Sequence, residues 1–154
     1  MEQDVAQQMQ VEHGLLQHLI GGLRAAAAWP VPGPDASRKL STLRFVAGSF
    51  QRHLERLLAL EEYDGYLGLV RACAPRLVRA ADALRAEHER FRAEARRVVQ
   101  RLDRLRDTDP AALGPVCADL LALLGQVEGH SENEMALVHG VLPASLHESS
   151  RLIC

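Results

Sequence analysis

The sequence is poor in what strands, disulfide scaffolds and membrane spans require. Aromatic residues make up 4% of its 154 residues, and isoleucine occurs only at Ile20 and Ile153. An all-β or α/β fold is thereby close to excluded, and the core must be aliphatic. The three cysteines, Cys73, Cys117 and Cys154, are odd in number and form no CxxC pair. That argues against a disulfide framework or a thiolate zinc site and fits a reducing compartment. Cys73 and Cys117 read as small apolar helix residues, Cys154 as an exposed thiol. No uninterrupted apolar run approaches the ~18 residues of a membrane span. A net charge of −2 gives no electrostatic footprint for nucleic acid. Met1-Glu2-Gln3-Asp4 is acidic and unlike a signal sequence. There is no nucleophile triad, phosphate loop or reactive-cysteine motif. The expectation is a cytoplasmic, non-enzymatic protein with neither nucleic-acid nor membrane partner.

What the chain has instead is helix formers: 25 Leu and 22 Ala, with apolar residues at 47%. Four helical segments are expected. The first runs from about Asp4 to Ala28 and stops at Trp29-Pro30-Val31-Pro32-Gly33-Pro34. The second follows a cap at Asp35 or Ser37 and ends near Glu62, before Asp64-Gly65. A short stretch, Tyr66 to Ala74, holds one or two turns. Pro75 opens the third helix, which reaches about Arg106. Gly114-Pro115 introduces the fourth, to about Gly140, and residues 143–154 read as a tail to a bundle over 1–142.

Each segment carries an apolar seam at steps of three and four. Met9, His13, Leu16, Ile20 and Leu23 form the first. Leu43, Val46, Phe50, His53 and Leu57 lead to Leu60 or Glu61 in the second. Leu77, Ala81, Leu84, His88, Phe91, Ala95, Val98 and Leu102 form the third. Val116, Leu120, Leu123, Val127, His130, Glu134 and Leu137 form the fourth. Such seams can be buried only against one another, which makes an all-α, up-down-up-down four-helix bundle. Every seam is interrupted by His or Glu, and polar groups at core positions are costly unless paired or coordinated.

The interruptions repeat. Glu12-His13 in the first helix matches Glu87-His88 in the third, and Glu61 in the second matches Glu134 in the fourth. His130 lies four residues before Glu134, on the same face. In this alignment Leu57 stands where His130 has its counterpart.

These residues resemble the hemerythrin-like (HHE cation-binding) domains, over about Val11 to Leu142. His53 to Glu62, followed by Asp64-Gly65-Tyr66-Leu67, is similar to a bacterial branch of that family. The resemblance implies a four-helix bundle with a non-haem, usually di-iron site in which imidazoles cap the irons and carboxylates bridge them. It implies His13, Glu61, His88, His130 and Glu134 as metal ligands, with iron, dinuclear or mononuclear, as the cofactor; imidazole with carboxylate also suits Mn or Zn. It further implies O2 or NO as a ligand, in sensing or iron handling, and leaves open a protein partner or homo-oligomer.

Leu57 cannot coordinate, so the ligand set is incomplete. The fourth helix admits a second register, with Glu132 as ligand and Glu128 in place of the histidine; the seam favours His130 and Glu134. Glu12 and Glu87 are weak candidates for supporting the ligands, and His53 reads as structural. Glu62 reads as a solvated neighbour, His18, His139 and His147 as surface residues. The Arg-rich face of the third helix reads as solvated and salt-bridged. The alternative is a metal-free, degenerate bundle acting as an interaction or regulatory module.

Overall fold

A computed structural model describes residues 2–31, 36–63 and 75–149, with side chains for 7–31, 36–63 and 76–136. Among the described residues four helices follow one another: α1 (Glu2–Ala28), α2 (Ser37–Tyr63), α3 (Val78–Arg104) and α4 (Pro110–Ser149). A 3-10 turn, Pro75–Leu77, leads into α3. Each helix packs on the next in sequence, and α4 returns to α1, so the up-down-up-down bundle is the observed architecture.

The helix ends are held by side chains reaching across the bundle. Lys39 of α2 donates to the Ala27 and Trp29 carbonyls at 2.6 and 2.7 Å, at the end of α1. Arg44 of α2 donates to the Leu102 and Leu105 carbonyls at 2.9 and 2.6 Å, and to that of Asp103, at the end of α3. Both are cations at helix C-termini, where unsatisfied carbonyls gather. The Ala36 amide donates to the Asp107 carbonyl at 3.0 Å and ties the two connections at this end of the bundle.

The last helix differs from the expectation. It begins at Pro110, not at Gly114-Pro115, because Asp109 accepts from the Ala112 amide and Pro110 takes the first helical position. It continues through Pro143 to Ser149, where a tail was expected. The stretch Tyr66 to Ala74 lies outside the described residues, as do Cys73 and Cys154.

The core is built from the expected seams. Leu16, Ile20 and Leu23 of α1 meet Leu43, Phe50, Leu54 and Leu58 of α2, Phe91, Val98 and Leu102 of α3, and Val116, Leu120, Leu123 and Val127 of α4. Each such side chain contributes about 1.5–3 kcal/mol on burial. Cys117 is buried among them, and burial pushes its thiol pKa up. Pro110–Ala136 is long and apolar enough to cross a membrane by length and composition, a property that a search for uninterrupted apolar runs misses. Its inward face packs on the other helices, and further along that face the apolar seam gives way to His130 and Glu134.

Candidate metal centre

Glu61 of α2, His88 of α3, and His130 and Glu134 of α4 replace the apolar seam at one level of the bundle. All four are buried, His88 completely. They offer four donor atoms lying within 4.8 Å of one another. His88 Nε2 is 3.0 Å from His130 Nε2. Glu134 Oε1 is 2.9 Å from His130 Nε2 and 3.5 Å from His88 Nε2. Glu61 Oε2 is 3.5 Å from His88 Nε2 and has no hydrogen-bond partner among the described residues.

The far nitrogen of each ring is committed elsewhere. His88 Nδ1 lies 2.8 Å from Glu62 Oε1, which also accepts from Arg92 at 3.0 Å. His130 Nδ1 lies 2.7 Å from Glu87 Oε2. A carboxylate oxygen can only accept, so each Nδ1 carries the proton and donates. In the neutral rings both Nε2 atoms are then bare lone pairs facing each other, and Phe91 packs edge-on against His130 beside them. Two lone pairs at 3.0 Å, with Glu134 Oε1 2.9 Å from the second, are brought together by a shared proton or by a cation.

The charges say the same. Burial, followed by the facing Glu134 carboxylate, pushes Glu61 up to about 10. Burial opposes the charged form of His130, but the bonds to Glu134 and Glu87 outweigh it and raise its pKa. Burial likewise works against ionised Glu62, yet Arg92 and His88 hold it below the ordinary carboxylate range. Glu61 is short of positive charge, while Glu62 is satisfied.

The residues fit a cation. Ligand atoms set tetrahedrally at ~2.1 Å from a metal lie about 3.4 Å apart; four of the six separations here are 2.9 to 3.5 Å, and all fall within 4.8 Å. The sequence matches the profile of the hemerythrin HHE cation binding domain over residues 4–142. The chain belongs to this family. No curated protein and no solved structure gives a match. A hemerythrin HHE domain with a buried His/Glu cluster is a metal-binding arrangement.

Of the five residues expected as ligands in this HHE domain, the structure brings together Glu61, His88, His130 and Glu134. His13 is not among them. It is half-buried and lines an open groove between α1 and α4 with Gln17, Glu128 and Glu132. The cause is the register of α1 on α2. Buried Glu12 accepts from His53 Nδ1 at 2.6 Å and from Arg56 at 2.8 Å, which pins this part of α1 opposite His53. Burial works against the charge of Glu12, but those two partners hold its pKa down. Glu61 lies eight residues, ~12 Å of helix rise, further along α2. In the last helix His130 and Glu134 point into the cluster, while Glu128 pairs with Arg24 of α1 and Glu132 lines the groove.

The contacts also realign the repeat. Glu12 holds Nδ1 of His53 as Glu87 holds Nδ1 of His130. His53 is therefore the counterpart of His130, and Leu57, four residues on, stands in the place of Glu134 and not of a histidine. Leu57 is buried in the apolar core. Glu62, expected as a solvated neighbour, instead turns its side chain inward to His88, and Arg92, expected on a solvated face, follows it. Glu62 sits one position off the seam, and half-buried Arg92, four residues after His88, bonds it. His18 is exposed and bonds the Gly14 carbonyl, as a surface residue does.

Proposed function

We propose that this HHE bundle binds a single divalent cation through Glu61, His88, His130 and Glu134. Iron is the first choice, with Mn and Zn compatible with the same donors. The observation that carries this reading is the convergence of two Nε2 lone pairs, each prepared by a carboxylate behind it, beside a buried Glu61 oxygen without a hydrogen bond. Two neutral imidazoles and two carboxylates neutralise a dication. A bound iron would supply redox chemistry or a coordination position for O2 or NO, which suits sensing or iron handling by a cytoplasmic, non-enzymatic protein. The test is metal analysis with an ultraviolet-visible spectrum of freshly purified protein. One equivalent of metal, lost in His88→Ala, is expected. A folded protein that stays metal-free after anaerobic incubation with Fe2+, Mn2+ and Zn2+ would sink the reading.

One observation favours a second reading, a metal-free module. His130 Nε2 lies 2.9 Å from Glu134 Oε1, so the cluster can close on itself with protons in place of a metal. The same metal analysis separates the two.

A further inference from the structure

Glu62 and Glu87 lie outside the four donors, yet each reaches an imidazole on the next helix, and Arg92 of α3 holds Glu62. Glu62 comes from α2, the helix of Glu61, and reaches His88 on α3. Its side chain is 8% exposed and takes a second bond from Arg92, itself largely buried and shared with exposed Glu89. Glu87, on α3, reaches His130 on α4. Its side chain is one-third exposed, with Arg90 at 3.7 Å as its other cation.

An imidazole can carry its proton on either nitrogen, and the hydrogen bond made by one nitrogen decides what the other offers. With Nδ1 left free, either ring could turn its N–H into the cluster and present a donor where a cation needs a lone pair. The ring could also rotate about its bond to Cβ. A carboxylate bonded at Nδ1 removes both freedoms at His88, whose Nε2 has carboxylates only at 3.5 Å; at His130, Glu87 acts against Glu134, 2.9 Å from Nε2. Partners of this kind, acting through a ligand, typically change metal affinity 10- to 100-fold.

We propose that Glu62, held by Arg92, and Glu87 are positioning residues that keep His88 and His130 in the Nδ1–H tautomer, with both Nε2 lone pairs aimed at one point before any cation arrives. The proposal rests on the cation reading for its purpose, but the tautomers can be observed without metal. The two supports are unequal. Glu62 is buried and doubly bonded, so its loss leaves His88 with no substitute; water can replace part of what Glu87 provides.

The test uses full-length protein labelled with 15N-histidine, and Co2+ as the probe metal. Long-range 1H–15N spectra of the metal-free protein at pH 8.5 are expected to show the Nδ1–H form for both rings. Glu62→Leu is expected to move His88 to the Nε2–H form or to a mixture, and to weaken Co2+ binding 10- to 100-fold. Glu87→Leu should do the same to His130, with a smaller loss of affinity. Glu62→Gln, whose side-chain carbonyl still accepts from Nδ1–H, should keep the tautomer and stay within a few-fold of wild type. That variant also keeps the test alive if Glu62→Leu does not fold. Wild-type protein that binds Co2+ with its rings in the Nε2–H form overturns the proposal, as does a folded Glu62→Leu with unchanged tautomer and affinity. Wild-type protein that binds no Co2+ but shows Nδ1–H at both rings overturns the cation reading and leaves the positioning role standing.

Discussion

Glu61 is the residue on which proton and cation compete. Its carboxyl is held neutral by burial and by Glu134, up to about 10, whereas in the unfolded chain it ionises near 4.5. The folded metal-free protein therefore binds the extra proton between those values. The stability this contributes is complete below about 4.5 and declines as pH rises towards 10. His130, also raised, adds loss in the same direction above its unfolded value of 6.5. Glu12 and Glu62, held down by their partners, act oppositely: their contribution is present above 4.5 and lost as pH falls through their lowered values. Metal-free protein should thus be most stable in mildly acidic solution. Glu61→Gln, measured by thermal unfolding between pH 5 and 9, is expected to raise the Tm at pH 8 and flatten the alkaline decline. A divalent cation would displace the proton from Glu61, so adding metal should move the optimum of the wild-type protein towards higher pH and that of the variant, which keeps only the His130 contribution, by less. His88, Glu61, His130 and Glu134 could be picked out of the sequence because a polar side chain on an apolar seam needs a partner. Glu62 could not, because its partner arrives from another helix and leaves no mark on the pattern of its own.

At the scale of the helices, α2 carries more than its apolar face. Arg44 satisfies the last carbonyls of α3, and Lys39 those of α1. Hydrogen bonds from a charged donor are worth about 1.5–3 kcal/mol. Arg44→Leu is accordingly expected to lower unfolding free energy by roughly 2 kcal/mol in urea titrations, mainly through the end of α3, with little effect on metal binding at the opposite end. A Tm unchanged by this substitution would remove Arg44 from the account. The helices themselves were legible from the step of three and four, and the breaks at Trp29-Pro30 and Asp64-Gly65 from local chemistry. The start of α4 was misjudged because two Pro-containing signals compete five residues apart and the earlier has the capping acid. The placement of His13 was illegible for a different reason. A seam shows which face of a helix is buried, but the sliding of α1 along α2 is set by Glu12 meeting His53 and Arg56, a contact between residues more than forty apart.

The whole molecule is two helix pairs of similar plan with unequal equipment. Both keep a glutamate holding Nδ1 of an imidazole on the next helix, but only the second pair follows that histidine with a carboxylate four residues on. Leu57 occupies the corresponding place in the first pair and is almost fully buried. Leu57→Glu should therefore cost several kcal/mol in metal-free protein, since an unpaired carboxylate enters the core. That loss should be partly recovered on adding a divalent cation, beyond the recovery seen for wild type; Leu57→Gln, similar in size, should show no such recovery. Equal responses of the two variants in calorimetry would refute the realigned repeat.

The four donors sit on three different helices and none is open to solvent. Entry and escape of an ion would then depend on how often α4 lifts away from its neighbours α3 and α1, and not on the strength of the bonds alone. Such a site is a slow trap: it can hold a weakly bound ion long after a chelator has cleared the surrounding solution. Its release rate should follow hydrogen exchange of the α4 amides around His130, rising with temperature and mild denaturant alike.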